Sequence, residues 1–311
     1  MIINTGMRTD IPAFYSKWFL NRIKEGYVYV RNPYNKSAVT KYILDPKVVD
    51  CLAFCTKNPH PLIKHLDELK KYNQFWFVTI TPYLKDLEPN VPDKRQVIED
   101  FKILSKTLGK HSVALRYDPI IITEKYSVEY HIKCFEKLLE SLKGYTEDCT
   151  ISFVDLYDKL KKNAPEIKEV SKEDQIKIAK AFKEIGDKNN IVIHGCCEKE
   201  DLKDYGIDIT GCMSKEIVEK AVKRKLVVPK QNIKREGCSC LLGNDIGAYN
   251  TCMHLCKYCY ANYSKALVKL NYLKHDENSP MIIGNVNNGD IIKTANQQSY
   301  IEKQGQICFL D

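Results

Sequence analysis

Short β-prone runs recur through the first two thirds of this chain, at Ile2–Asn4, Tyr27–Arg31, Val48–Cys55, Phe75–Thr81, Val113–Tyr117, Cys149–Val154 and Ile191–His194. Most gaps between them carry apolar residues at helical spacing: Pro12–Glu25, Pro61–Tyr72, Asp93–Leu108, Ser127–Leu142 and Ser171–Lys188. Strands that alternate with helices predict an α/β fold, a parallel sheet wrapped by helices as a complete or partial (β/α) barrel over residues 1–195. Start signals agree: Asp10 stands ahead of Pro12 where a first turn needs an acceptor, and Ser171 with Asp174 has capping-box spacing.

Polar residues gather where these strands end: Arg8 and Asp10; Arg31 and Asn32; Thr56, Lys57 and Asn58; Thr79, Thr81 and Tyr83; Arg116 and Asp118; Asp155 and Tyr157; His194. In an α/β barrel such ends converge on one rim, where active sites are built. Any one of them could simply mark entry into a solvated loop. Taken together they predict a polar cavity, with Arg8, Asp10, Lys57, Arg116 and Asp118 as its catalytic candidates.

The thirteen cysteines add a second constraint. No stretch reaches the roughly 18 apolar residues of a membrane span, and the start MIINTGMRTD lacks a secretory layout, so a cytoplasmic location is expected. Disulfides do not persist there, which leaves thiolate chemistry or metal binding as the use for so many thiols. The rest of the composition is ordinary for a globular chain, and the net charge of +8 is scattered, permitting an anionic partner without requiring one. No P-loop, HExxH or GxSxG is present. Most cysteines lie beyond residue 195, which predicts a cysteine-rich segment over 196–277 that closes the barrel, then a C-terminal extension over 278–311.

Within that segment, Cys252, Cys256 and Cys259 form a CxxxCxxC run with Tyr258 before the last cysteine. Three thiolates on one tight loop can hold three irons of a [4Fe-4S] cluster and leave the fourth open to a cofactor or substrate. Structural zinc would want four closed ligands, with His254 turned inward to complete them. A second group, Cys238 and Cys240 with Cys212 and one of the adjacent Cys196 and Cys197, could supply four thiolates to an auxiliary iron-sulfur cluster or to zinc, or could remain unliganded. Cys51 and Cys55 share one face of a strand and read as core packing. Cys134, Cys149 and Cys308 have no partner pattern, and the many tyrosines and phenylalanines fall mostly at core spacing.

The CxxxCxxC loop with its tyrosine resembles the signature of the radical S-adenosylmethionine enzymes. That resemblance implies a site-differentiated [4Fe-4S] cluster, S-adenosylmethionine as cofactor, Tyr258 beside it, and a one-electron donor such as flavodoxin or ferredoxin. It implies cleavage of the cofactor to a 5'-deoxyadenosyl radical that attacks a small polar substrate, not yet identified. Nearly the whole chain resembles a microbial family known as domain of unknown function eighteen forty-eight. The resemblance runs through Arg8-Thr9-Asp10-Ile11-Pro12, Val30-Arg31-Asn32-Pro33, Thr56-Lys57-Asn58-Pro59, Thr79-Ile80-Thr81-Pro82-Tyr83, Glu88-Pro89-Asn90-Val91-Pro92, Arg116-Tyr117-Asp118-Pro119, Ser152-Phe153-Val154-Asp155 and Asp245-Ile246-Gly247-Ala248-Tyr249-Asn250. Register with that family favours Cys197 as the fourth auxiliary ligand.

The layout departs from ordinary radical enzymes, whose cluster loop follows the first strand, because here the loop lies near the C-terminus. A circularly permuted barrel reconciles the two. No glycine-glycine-glutamate segment follows the loop, and in a permuted barrel Asp10 becomes the candidate to hold the cofactor's ammonium group. A nucleic-acid repair enzyme is the nearest variant, although no contiguous basic stripe with interleaved aromatics supports it. A non-catalytic, zinc-stabilised binding protein is the reading from a different class.

Overall fold

The structure is a computed structural model that describes residues 1–196, 198, 200–229, 240–241 and 243–302. Its strands are β1 (Ile2–Asn4), β2 (Tyr27–Arg31), β3 (Ala38–Ile43), β4 (Cys51–Thr56), β5 (Gln74–Thr79), β6 (Val113–Ile120), β7 (Asp148–Phe153), β8 (Val192–Gly195), β9 (Asn244–Asp245) and β10 (Ile291–Thr294). Seven of them form one sheet in the order β8-β7-β6-β5-β4-β1-β9, and every neighbouring pair is parallel. All seven C-terminal ends therefore share one edge. Edge strands β8 and β9 stand at opposite ends of this order, with no ladder between them among the described residues.

The helices are α1 (Ile11–Phe14), α2 (Ser16–Glu25), α3 (His60–Ile63), α4 (Lys94–Leu108), α5 (Val128–Leu142), α6 (Asp158–Asn163), α7 (Lys172–Asn189), α8 (Lys215–Val222) and α9 (Lys265–Leu273). Side-chain caps fix several starts, because the first amides of a helix have no partner within it. Asp10 accepts from the Ala13 amide at 3.0 Å, Asp93 from Arg95 at 2.9 Å, Ser127 from Tyr130 at 3.2 Å and Ser171 from Asp174 at 3.1 Å.

Alternation along the strands sends successive side chains to opposite faces of the sheet. Ile3, Leu52, Phe54, Trp76, Val78, Leu115 and Tyr117 join the main core with Trp18 and Phe19 of α2, Phe101 of α4, Phe135 of α5 and Phe182 of α7. Ile2, Cys51, Ala53, Phe75, Phe77 and Ala114 face the other way and pack under Ile217, Val218, Ala221 and Val222 of α8, together with Cys212, Met213 and Cys240. On this second face the strands turn polar toward their C-terminal ends, where Arg116 and Asp118 follow Ala114 on β6. The cysteine-rich segment thus covers the face of the sheet that carries the strand-end charges.

Two expectations need correction. The run Tyr27–Arg31 does not enter the main sheet; it pairs antiparallel with β3, which pairs parallel with β10. Only residues 32–37 connect β2 to β3, too few for the crossover that a parallel partner requires. Arg31 accordingly pairs with Asp290 at 2.6 Å, and Arg31 and Asn32 leave the predicted rim. The seventh place beside β1 goes instead to the two-residue β9, with Ile3 opposite both Leu52 and Asn244. The expected helix over Pro61–Tyr72 is the four-residue α3 followed by a 3₁₀ turn at Leu66–Leu69. Leu62 and Leu69 are its fully buried leucines, which gives a longer helix little apolar area to dock.

The last described residues are laced to the body. The Trp18 indole donates to the Ser279 carbonyl at 2.9 Å, and Asp50 accepts from the Ser299 hydroxyl at 2.5 Å and the Tyr300 amide at 2.7 Å. No helix among the described residues is long and apolar enough to cross a membrane.

Candidate functional site

The loop that leaves β9 is closed on itself. The Asn250 amide donates to the Ala261 carbonyl at 2.9 Å, and the Asn262 side-chain amide donates to the Cys252 carbonyl at 2.8 Å. Asn250 and Leu255, both at φ 56°, supply the tight bends. Cys252, Cys256 and Cys259 lie on this ring, close enough that Cys252 feels the charge of both others and Cys256 that of Cys259. Cys252 and Cys256 are buried, and the Cys259 sulfur accepts the Ala261 amide at 3.4 Å. Burial pushes the Cys252 thiol well up and the Cys256 thiol up to about 12.

Loops from two strand ends hold the ring in place. The Asn90 amide donates to the His254 carbonyl at 3.3 Å, the Asn90 side chain to the Met253 carbonyl at 2.7 Å, and the Lys257 amide to the Leu87 carbonyl at 3.0 Å. From the β1 side, Asp10 meets His254 Nε2 at 2.8 Å while also accepting the Lys57 and Ala13 amides at 2.8 and 3.0 Å. The other ring nitrogen of His254 faces the Asn90 carbonyl at 3.4 Å, so both nitrogens have partners other than the cysteines.

Lys57, a sequence candidate, lies beside this ring, and its principal partner is Glu88, which strand-end reasoning missed. Glu88 is 1% exposed. It accepts Lys57 Nζ at 2.8 Å and the Thr81 hydroxyl at 2.6 Å, and also binds Lys94 and the Tyr258 hydroxyl. Burial alone would push the Glu88 carboxyl up, but Lys57 and Lys94 outweigh it and hold it at about 2. Lys57 Nζ stands 5.7 Å from the Tyr258 ring centre and is also attracted by Cys256. The signal available in the sequence was the turn Glu88-Pro89-Asn90-Val91-Pro92, whose two prolines stiffen the chain around the carboxylate.

A second group lies under β6. Arg116 pairs with Asp118 at 2.6 Å, and Asp118 also takes the Ser152 hydroxyl. The guanidinium packs over Phe77 and approaches the sulfurs of Cys196 at 3.6 Å and Cys212 at 3.9 Å. Cys196 and Cys212 are 3.6 Å apart, and Cys212 and Cys240 are 3.1 Å apart. Hydrogen bonds to Cys196 and Cys240 drive the Cys212 thiol up, while its bond with Cys212 holds Cys240 low. Of the predicted auxiliary ligands, Cys212 and Cys240 are thus brought together with Cys196, while Cys197 and Cys238 lie outside the described residues. Glu198, also missed, accepts the Phe153 amide at 2.8 Å, and burial raises its carboxyl to about 7.

Arg8 is committed to β9. It contacts the Asp245 carboxylate at 2.5 Å and its carbonyl at 2.7 Å, with the Tyr249 ring 5.8 Å away. The Tyr260 hydroxyl donates to the Met7 carbonyl, and burial, with Cys259 nearby, pushes it up. His194, by contrast, is buried between Asp148 and Asp208, and Tyr83 is a core residue whose hydroxyl donates to the Pro119 carbonyl. A surface pocket lined by Asp86, Leu87 and residues 122–126 and 166–168 contains none of the five catalytic candidates.

Among the described residues, no three His, Cys, Asp or Glu side chains form a group that could hold a single metal ion. The donor chemistry of the 252–259 ring nevertheless suits iron: three soft sulfurs, two of them buried, with a backbone amide on the third. Nearby, the buried Thr9 hydroxyl and the Asn262 side-chain carbonyl have no hydrogen-bond partner among the described residues.

A parallel α/β sheet that seats a three-cysteine ring and buried ion pairs on its C-terminal edge defines the class. Residues 2–261 match the family described as Domain of unknown function (DUF1848), and the chain belongs to that family. The match takes in the whole cysteine ring and stops short of α9. No curated protein and no solved structure matches the chain.

Proposed function

We propose that the protein is a radical S-adenosylmethionine enzyme built on a partial barrel that is circularly permuted relative to ordinary members of that superfamily. The observation that carries this reading is the cysteine ring itself, seated where parallel strands end and wedged between Asp10 and the Glu88 network. The pairing of β9 with β1 supports the permutation, because it puts the strand that precedes the ring next to the N-terminal strand. A [4Fe-4S] cluster with one open iron would supply the electron that splits S-adenosylmethionine and thereby delivers a 5'-deoxyadenosyl radical to a polar substrate.

The chain's own residues then divide the work. Cys252, Cys256 and Cys259 are the iron ligands, and the Ala261 amide stabilises charge on the third sulfur. Asp10 fixes the ring through His254, and together with Tyr258 and Glu88 it forms the polar surface next to the ligands. Arg8, Lys57, Arg116 and Asp118 are the substrate-side charges, each held by a partner before any ligand arrives. Preorganisation of this kind lets them act on a substrate without rearranging. Cys212, Cys240 and a member of the 196–197 pair form a second thiolate centre for an iron-sulfur cluster or zinc. The reducing cytoplasm is the compartment that suits both.

Anaerobic reconstitution followed by metal analysis and electron paramagnetic resonance tests the assignment. The reduced protein should show a four-iron signal that changes when S-adenosylmethionine is added, and Cys256→Ala should lose that signal. Protein that takes up zinc alone would overturn the reading. Residual iron after replacing all three ring cysteines would locate the second centre.

A further inference from the structure

α9 leaves the cysteine ring almost directly, since Ser264 caps it and Asn250, inside the ring, binds it twice over. The Asn250 side chain accepts the Tyr263 amide at 2.5 Å, and its carbonyl accepts the Asn271 side chain at 2.9 Å. A nine-residue helix so anchored ordinarily buries an apolar stripe. Here Val268 is buried, whereas Leu267, Leu270 and Leu273 are 40, 46 and 82% exposed. They recur every three residues and so share one side of the helix, which Tyr263, 60% exposed, precedes. An exposed apolar ridge on a helix is a docking feature.

Charge selects the occupant. Residues 246–275 contain no Asp or Glu but carry Lys257, Lys265, Lys269 and Lys274. A second copy of this chain would bring four like charges against four, and a polynucleotide, which the lysines and Tyr263 could meet, would leave the three exposed leucines uncovered. An acidic protein answers both the ridge and the lysines. From the continuity of α9 with the ring, and resting on the proposed one-electron chemistry, we infer that the exposed face of α9 docks an acidic one-electron carrier protein that feeds the cysteine ring.

Reduced flavodoxin serves as the acidic probe, titrated into the full-length reconstituted protein. Binding should weaken as salt rises, and both Leu270→Asp with Leu273→Asp and Lys265→Glu with Lys269→Glu should weaken it by about tenfold or more. Flavodoxin-driven cleavage of S-adenosylmethionine should fall in parallel, while dithionite-driven cleavage stays at the wild-type rate and thermal unfolding is unchanged. Undiminished flavodoxin binding in both variants overturns the inference. So does a wild-type dimer that the leucine variant dissolves, or an oligonucleotide that binds through these lysines where flavodoxin does not. Binding is read independently of turnover, so failure of dithionite to drive cleavage in the wild type strikes the proposed function and not this surface.

Discussion

Burying Glu88 between Lys57 and Lys94 is tolerable only because the three charges come together. Replacing it with alanine leaves two buried or half-buried ammonium groups without their counter-charge, which should cost about 3–5 kcal/mol in urea unfolding. Because its carboxyl is held at about 2, its contribution is complete above the usual carboxylate range and disappears as the pH falls toward 2. His131 adds an acid-sensitive term of its own. Buried against the Tyr117 hydroxyl at 2.9 Å and the Ile121 carbonyl at 3.0 Å, it is pushed by burial down to about 4. The unfolded chain therefore binds more protons below pH ~6.5, and about 3 kcal/mol of stability should vanish between there and pH ~4. His131→Gln should flatten the unfolding profile across that window, and an unchanged slope would place the titration elsewhere. The cysteines were legible at this scale because their spacing is local. Glu88 was not, because its partners Lys57 and Tyr258 stand 31 residues before it and 170 after it.

At the scale of elements, period and capping are local signals, so the strands of the main core and helices α4, α5 and α7 could be read directly from the chain. Strand partners could not. The hairpin of β2 with β3 follows from the short connection between them, and β9 is two residues long and shows no period. Close approach between elements is equally invisible in sequence. A Cβ added at Gly6 would stand 2.3 Å from the Cys55 carbonyl oxygen and 2.5 Å from its Cβ, where the chain leaving β1 crosses the end of β4. Gly6→Ala should therefore cost about 1–3 kcal/mol by forcing these strand ends apart. It should also lower the iron retained after desalting, since Asp10 reaches the ring from this same turn. Retention at the wild-type level would separate the turn from the site.

For the molecule as a whole, the cysteine-rich segment contributes three things: a strand at the β1 edge, a helix over the second face of the sheet, and the ring on the shared C-terminal edge. The sequence made its position clear but not its contacts, because Arg116 meets Cys212 across 96 residues and Asp10 meets His254 across 244. The Asp10–His254 contact, with Glu88 shared between Lys57 and Tyr258, seats the ring beside two of the strand-end charges, Asp10 and Lys57. If that site performs the proposed chemistry, the ring cysteines act as a unit, and loss of any one should abolish turnover without unfolding the sheet. The most direct measurement is 5'-deoxyadenosine formation by anaerobically reconstituted protein supplied with S-adenosylmethionine and dithionite. The wild type should release it, and Cys252→Ala, Cys256→Ala and Cys259→Ala should each release none. No 5'-deoxyadenosine from iron-loaded wild-type protein, or undiminished release from any of the three variants, would contradict the account.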